Sequence, residues 1–307
     1  MAAPGHNPVN NFNGHTEFFV APKPRVPVTN RETLTYYTPP PERARTTMNG
    51  STESFNEGFT GATPNEVLPD VSVASFGSAS LLEVVLGNDD RVKVTRDSLS
   101  DNPWRQICSL RIRSKSNRVY VGTGWYIGPK TLATAGHCVF LQDDGGWPKS
   151  IDVIPARFGP TGEFGTLTAK RFSSVDGWTV QRLRDFDYGV IHLDSDEVGL
   201  QIGNFEVAAF PDAVLNAVNA KISGYPADRD QAQFQYFHER PIQSVTPTRL
   251  AYDIDTFGGQ SGSPIWQDTV ENGLVAIGIH TTGAVSGNSG TRINDAVITN
   301  LISWLEV

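Results

Sequence analysis

Positive charge, cysteine and long hydrophobic runs are all scarce in this sequence of 307 residues. No apolar run reaches the roughly eighteen residues that a transmembrane helix needs, so no membrane span is expected. Acidic residues outnumber basic ones by 33 to 25, and the net charge of −8 argues against both a nucleic-acid-binding surface and binding to anionic membranes. Residues 1–13 lack the apolar core of a secretory signal, which leaves an intracellular location open.

The only two cysteines are Cys108 and Cys138, which excludes a disulfide-rich fold and a Cys₄ zinc site. If they pair, the bridge closes a loop of about 30 residues and stabilises the fold by about 3 kcal/mol. The alternative is two buried free thiols, and we favour pairing. The histidines lack metal-binding spacing and no Gly-x-Gly-x-x-Gly motif occurs, so neither a metal nor a cofactor is expected.

The first 83 residues differ in composition from the rest of the chain. They hold ten of the 20 prolines, including Pro39 to Pro41, and apolar periodicity is poor. Such a segment cannot bury enough apolar surface to fold strongly alone. It is therefore predicted to be largely irregular, either a tail without a role or a propeptide.

From about residue 100 the chain consists of short strand-like runs separated by turns. This pattern predicts an all-β body, arranged as two barrels. A helix is predicted only at the end, over about 294–305, because apolar side chains recur there with helical spacing. These side chains are Val297, Ile298, Leu301, Ile302 and Leu305.

Two motifs place a histidine and an acid next to apolar runs. His137 lies in a turn of small residues, 134–138, and taken alone is most simply a structural histidine. Asp187 opens the apolar run 188–191, where an acid is either a polar strand terminus or a group that accepts the Nδ1 proton of a histidine. Asp185 is an alternative for the same role.

The third motif, Gly258 to Pro264, is more specific. A nucleophilic serine needs a tight turn and backbone N–H groups directed at the developing oxyanion, and the glycines around Ser261 permit such a turn. The α/β-hydrolase elbow would require glycine at Ser263, and Pro264 opposes a following helix. The alternative is a plain glycine-rich turn.

The motifs follow the order His, Asp, Ser, which is that of chymotrypsin. From about residue 84 onward the chain resembles the chymotrypsin-like serine peptidases, and within them the glutamyl endopeptidases. The resemblance implies two six-stranded antiparallel β-barrels, over about 100–200 and 201–290, followed by the C-terminal helix. It implies a catalytic triad of His137, Asp187 and Ser261, with Asp187 favoured over Asp185, and an oxyanion hole formed by the N–H groups of Gly259 and Ser261.

The same resemblance extends to specificity and activation. Thr256, His280 and a new α-ammonium at Val84 are expected to bind a substrate glutamate, whose buried carboxylate needs charge and hydrogen bonds. That ammonium exists only after cleavage at Glu83–Val84, so residues 1–83 are expected to be a propeptide and 84–307 the peptidase domain. Removal of the propeptide by the enzyme itself is a hypothesis. We expect a secreted monomer that hydrolyses polypeptides. The alternatives are another side-chain preference, since Thr281 replaces a common tryptophan, and an inactive peptide-binding homologue.

Overall fold

The computed structural model describes residues 4–12, 68–77, 85–269, 273–284 and 287–306. This part of the chain is mostly β-structure. Its strands are β1 (Pro8–Asn10), β2 (Val92–Lys93), β3 (Ile107–Arg113), β4 (Val119–Gly128), β5 (Thr131–Thr134), β6 (Ser150–Pro155), β7 (Leu167–Ala169), β8 (Arg171–Val175), β9 (Gly189–His192), β10 (Glu206–Val207), β11 (Asn219–Gly224), β12 (Tyr236–Val245), β13 (Arg249–Tyr252), β14 (Pro264–Thr269), β15 (Gly273–Ala284) and β16 (Gly287–Arg292).

The helices are short, apart from the last. They are α1 (Val73–Phe76), α2 (Gly136–Val139), α3 (Asp176–Thr179), α4 (Glu197–Ile202), α5 (Asp212–Leu215) and α6 (Asp295–Ser303). Single 3₁₀ turns cover Ser98–Ser100, Trp104–Gln106, Arg184–Phe186, Asp230–Ala232 and Trp304–Glu306. Within the described ranges, no helix has the length and apolar character needed to cross a membrane.

The first barrel-like sheet contains eight strands in the order β1-β8-β9-β5-β4-β3-β6-β7. Its strands curl around a core that includes Leu110, Trp125 and Ile191. The pairings among the described strands leave this sheet open, since β1 and β7 are its two edges. The expected first barrel is therefore a half-barrel with an added edge strand, because residues 8–10 pair antiparallel with β8.

The second sheet closes on itself. Strands β15, β14, β11, β12, β13 and β16 follow one another, and β16 pairs back to β15. These six strands are antiparallel, and they enclose isoleucines and leucines such as Ile222, Leu250 and Ile277. The short strand β10 is added in parallel to β15, and β2 pairs with β12. The predicted all-β fold with two barrel-like sheets is thus confirmed, and the second barrel has the expected six strands.

The C-terminal helix also follows the prediction. Asn294 caps it, because its Oδ1 accepts hydrogen bonds from the N–H groups of Ala296 and Val297. Val297 and Leu301 are buried on the face that the apolar spacing indicated. A final 3₁₀ turn follows, and its Trp304 is also buried against the first sheet's core.

Two pieces of the predicted irregular segment are bound to the body. Strand β1 lies on the edge of the first sheet, and residues 68–77 lie between the two sheets. Both gain backbone hydrogen bonds from the body, which composition alone does not reveal. Residues 13–67 and 78–84 lie outside the described part of the chain, so the expected irregularity of the whole segment stays a prediction there.

Candidate active site

His137 is held at two points by one carboxylate. It lies in α2, directly after β5, and its backbone N–H donates to Asp187 Oδ1 at 2.8 Å. Its ring Nδ1 lies 2.7 Å from Asp187 Oδ2. Both side chains are fully buried. Because an ionised carboxylate only accepts hydrogen bonds, this pair places a proton on Nδ1 and leaves Nε2 as the basic nitrogen.

The close approach of these two residues depends on Gly136. A Cβ at this position would lie 2.9 Å from the backbone N of Tyr188 and 3.0 Å from Asp187 Oδ1. Asp187 itself lies at the end of a 3₁₀ turn, and its carbonyl accepts a hydrogen bond from Thr291 Oγ1 of the second barrel at 3.0 Å. Asp185 is exposed in the same turn. Of the two acids that the sequence offered, Asp187 is the one that contacts His137.

Ser261 lies in the loop before β14, at the junction of the two sheets. Its carbonyl accepts a hydrogen bond from the N–H of Thr123 in β4 at 2.8 Å, and Cys138 Sγ lies 3.6 Å from the same oxygen. The next residue, Gly262, has a φ of 90°. A Cβ there would lie 2.2 Å from the carbonyl oxygen of Thr123, so only glycine fits. These contacts bring the serine loop against the residues that flank His137.

Gly259, the expected oxyanion-hole donor, also has a positive φ, of 99°. Its carbonyl accepts a hydrogen bond from Thr123 Oγ1 at 2.8 Å, which fixes the peptide orientation. Its N–H donates to Asp70 Oδ1 at 2.9 Å. A carboxylate from an upstream segment therefore accepts the hydrogen bond of the N–H group that was expected to bind a substrate oxyanion.

The two described residues of the expected specificity pocket are both buried. His280, in β15, pairs with that loop through its backbone, since its N–H donates to Ser263 and its carbonyl accepts from Gly262. Its ring Nδ1 lies 2.6 Å from the hydroxyl of Tyr252. Thr256 is fully buried, and its hydroxyl has no hydrogen-bond partner within the described part of the chain. Glu83 and Val84 lie outside the described residues.

The segment that follows Val84 is fixed by an acid that the sequence analysis missed. Asp255 accepts hydrogen bonds from the backbone N–H groups of Leu86, at 2.8 Å, and Asp90, at 3.0 Å. The N–H of Asp255 donates to His238 Nδ1 at 2.9 Å. Since Asp255 immediately precedes Thr256, it attaches the chain just after Val84 next to the expected pocket. Asp255 stands two residues after Asp253, and no motif around it gave a separate sequence signal.

The expected disulfide is not formed. Cys108 and Cys138 are both buried and are not joined in a disulfide. Their sulfur atoms are directed at different backbone carbonyls, those of Gln106 and Ser261. Burial raises the pKa of the Cys108 thiol well above its ordinary value, which keeps it protonated and unreactive.

Among the described residues, one group of three has side chains close enough to hold a metal ion, formed by Asp90, His238 and Asp255. The hydrogen bonds of Asp255 and His238 already account for their burial, and Asp90 Oδ2 accepts a hydrogen bond from Arg240 at 2.7 Å. The group therefore serves to hold residues 86–90 in place and does not fit a metal centre.

Comparisons with known proteins agree with this geometry. The family model described as Trypsin matches residues 93–305. A glutamyl endopeptidase of Bacillus licheniformis is 34% identical over 81% of this chain and 78% of its own length. A Bacillus subtilis protein named extracellular metalloprotease is 33% identical over 72% of this chain and 69% of its own.

Solved structures show the same fold. A Glu endopeptidase solved in complex with MPD superimposes with a TM-score of 0.61, at 24% identity, covering 73% of this chain and all of that one. The matched family model covers more than half of the chain. The buried His137–Asp187 pair and the serine loop beside it agree with that family. The chain belongs to the trypsin family and is a chymotrypsin-like serine endopeptidase.

Proposed function

We propose that the protein is a glutamate-preferring endopeptidase that acts through His137, Asp187 and Ser261, and that it is made as a secreted zymogen. The observation that carries the proposal is that Asp187 binds both the backbone N–H and the ring Nδ1 of His137, next to the serine loop. A histidine fixed in this way has one defined tautomer, as general-base catalysis requires. The similarity to a glutamyl endopeptidase supports the choice of substrate.

The reaction follows from the groups present. Ser261 Oγ attacks the scissile carbonyl while His137 Nε2 takes its proton and later gives it to the leaving amine. Asp187 stabilises the imidazolium that forms in between. The N–H groups of Gly259 and Ser261 hold the oxyanion, which is the part of the site that contributes most to transition-state stabilisation in enzymes of this kind.

Preference for glutamate is proposed from the surroundings of the serine loop. The hydrogen bond between the Tyr252 hydroxyl and Nδ1 fixes the ring of His280, and Thr256 offers a buried hydroxyl. A substrate carboxylate in such a place needs a cation as well. The α-ammonium of Val84, released by cleavage after Glu83, supplies that charge, and Asp255 holds the chain two residues further on.

The test is a cleavage-site profile. A denatured protein is digested with the processed chain, and every new peptide end is read by mass spectrometry. New ends dominated by glutamate are expected, and they disappear in Ser261→Ala. Ser263→Ala is the matched control, since Ser263 is a buried serine of the same loop whose hydroxyl has no hydrogen-bond partner in the described structure.

Each outcome has a distinct meaning. Ends with a different residue would keep the triad and overturn the assignments of Thr256, His280 and Val84. Processing that continues in Glu83→Gln would overturn cleavage by the enzyme itself. An absence of cleavage even after an added protease has removed residues 1–83 would favour a peptide-binding homologue.

A further inference from the structure

Residues 68–77, which we call the plug segment, lie across the entrance to the active site. Their backbone pairs with β4, since the N–H of Val71 donates to the carbonyl of Val121 at 3.0 Å and the N–H of Val121 donates to Pro69 at 2.9 Å. Val71 is fully buried and Ala74 nearly so. The middle of the segment is therefore buried in the protein, whereas its ends at Pro69 and Gly77 are exposed.

Asp70 connects the plug segment to the serine loop. Its side chain is 6% exposed, and its Oδ1 accepts the hydrogen bond from the N–H of Gly259 at 2.9 Å. The hydroxyl of Ser72 donates to its other oxygen. Gly258 is also in contact, because a Cβ at that position would lie 2.8 Å from Asp70 Cβ. Both oxygens of the Asp70 carboxylate therefore accept hydrogen bonds, and one of the donors is the N–H group of the expected oxyanion hole.

The other end of the plug segment covers the catalytic histidine. The ring of Phe76 packs edge-on against His137 with the ring centroids 5.5 Å apart, and it makes a similar contact with Trp178. Two hydrogen bonds fix this end, because the N–H of Asp143 donates to the carbonyl of Ala74 and the N–H of Gln142 donates to Ser75 Oγ. His137, Asp187 and Ser261 all have no exposed surface in this state.

The way in which Asp70 enters the site distinguishes an inhibitor from a substrate. A substrate presents a main-chain carbonyl, whose amide can leave after attack by serine. Asp70 presents a side-chain carboxylate, which has no amine to expel and already carries the negative charge that the oxyanion hole stabilises. The N–H group of Gly259 is therefore occupied, and no peptide bond is placed for attack by Ser261.

We propose that the plug segment is an intramolecular inhibitor, in which Asp70 occupies the oxyanion-hole donor of Gly259 and Phe76 covers His137. This inference rests on the proposed function, because it assigns Gly259 to the oxyanion hole. It adds a requirement to activation. The plug segment lies upstream of Glu83, so cutting at Glu83–Val84 frees the new N-terminus, and the site opens only when residues 68–77 leave the cleft.

The rate at which a fluorophosphonate labels Ser261 tests the proposal. The full-length chain carries Glu83→Gln so that it stays uncut, which intact mass verifies. Slow labelling is expected on this background. Asp70→Asn and Asp70→Ala should raise the rate at least tenfold, with the larger effect for alanine, and Phe76→Ala should also raise it. Asp97→Asn, which removes an exposed carboxylate outside both the plug segment and the serine loop, should leave the rate unchanged.

A second measurement does not depend on how a variant folds. A peptide of residues 68–77 is added to the processed wild-type enzyme after residues 1–83 have been separated from it, beside the same peptide with Asp70→Asn. The native peptide should slow labelling, and the substituted one should do so at least tenfold less well. Equal effects of the two peptides, or equal labelling of all uncut variants, would overturn the inhibitor proposal.

The outcomes distinguish the inhibitor proposal from the proposed function on which it rests. If the processed wild-type chain is labelled and Ser261→Ala is not, the proposed catalytic function stands whatever the plug variants do. If the processed chain is not labelled at all even after residues 1–83 have been separated from it, the proposed function itself fails.

Discussion

At the scale of single residues, the site depends on one carboxylate with two tasks. Asp187 holds the backbone of His137 with one oxygen and its ring with the other. The backbone contact fixes where α2 begins, and the ring contact fixes the tautomer. Because both oxygens are used, a change of one atom in this side chain affects position and proton placement together.

Replacing Asp187 by asparagine is expected to lower kcat/KM by about a thousandfold or more. The asparagine amide can donate a hydrogen bond to Nδ1, which would place the ring proton on Nε2 and remove the base. The measurement is the steady-state hydrolysis of a glutamyl peptide by the processed enzyme. Asp185→Asn is the matched control, and we expect about unchanged activity because Asp185 is exposed. Similar losses in both variants would contradict the assignment of Asp187.

The residues found from sequence differ from those that were missed in one physical respect. His137, Asp187 and Ser261 lie in short motifs whose local chemistry is recognisable, and the glycines beside them match the close contacts found at Gly136 and Gly262. Asp70 acts on Gly259 across 189 positions of sequence, and Asp255 acts on Leu86 across 169. Such pairings depend on the tertiary fold, so a local pattern does not reveal them.

At the scale of elements, strands β8 and β9 carry a second buried histidine that takes no part in the proposed reaction. His192 is 1% exposed, and its Nε2 lies 2.8 Å from Ser173 Oγ across the strand pair. Phe12 packs against the same ring, 5.3 Å away between centroids. Burial, and secondarily the charge of Arg171, lower the pKa of His192 from 6.5 to about 4. The strand pair is therefore built around a neutral imidazole.

This shift predicts a loss of stability in mild acid. Between pH 6.5 and about 4 the unfolded chain binds a proton that the folded protein excludes. The stabilisation is thus complete above pH 6.5, falls as the pH drops through this window, and does not fall further below it. The contribution is at most about 3 kcal/mol. His192→Asn should flatten the dependence of the unfolding free energy on pH in denaturant titrations, and equal slopes in the two proteins would contradict this.

The elements themselves were predictable in part, because strand β1 and the short helices α1 to α5 were not expected. The alternation of short apolar runs and turns predicted the strands, and helical spacing predicted α6 with its buried Val297 and Leu301. Strand β1 was not predicted, because residues 8–10 lack any apolar pattern and are ordered by hydrogen bonds to β8. The same holds for α1, a single turn that is stable only against the body.

At the scale of the whole molecule, the segment before Val84 is attached to the body at two separate places. The plug segment occupies the cleft, and residues 4–12 lie on the first sheet's edge. There the N–H of Gly177 donates to the carbonyl of Gly5, and His6 Nδ1 lies 2.8 Å from the hydroxyl of Tyr188, the residue after Asp187. Two linked contacts raise the effective concentration of each, so a fragment held at both places leaves slowly.

We therefore expect the fragment of residues 1–83 to stay bound after cleavage at Glu83–Val84. Native size-exclusion chromatography of the cut chain, followed by mass spectrometry, should find both pieces in one peak. Gly5→Ala should release the fragment sooner, because φ is 80° at this position and a Cβ would lie 2.4 Å from the ring of Phe186. The uncut Gly5→Ala chain is the control, since it shows whether the body still folds. Immediate loss of the fragment from the wild-type protein would mean that residues 4–12 do not act as an anchor, and that activation needs only the single cut.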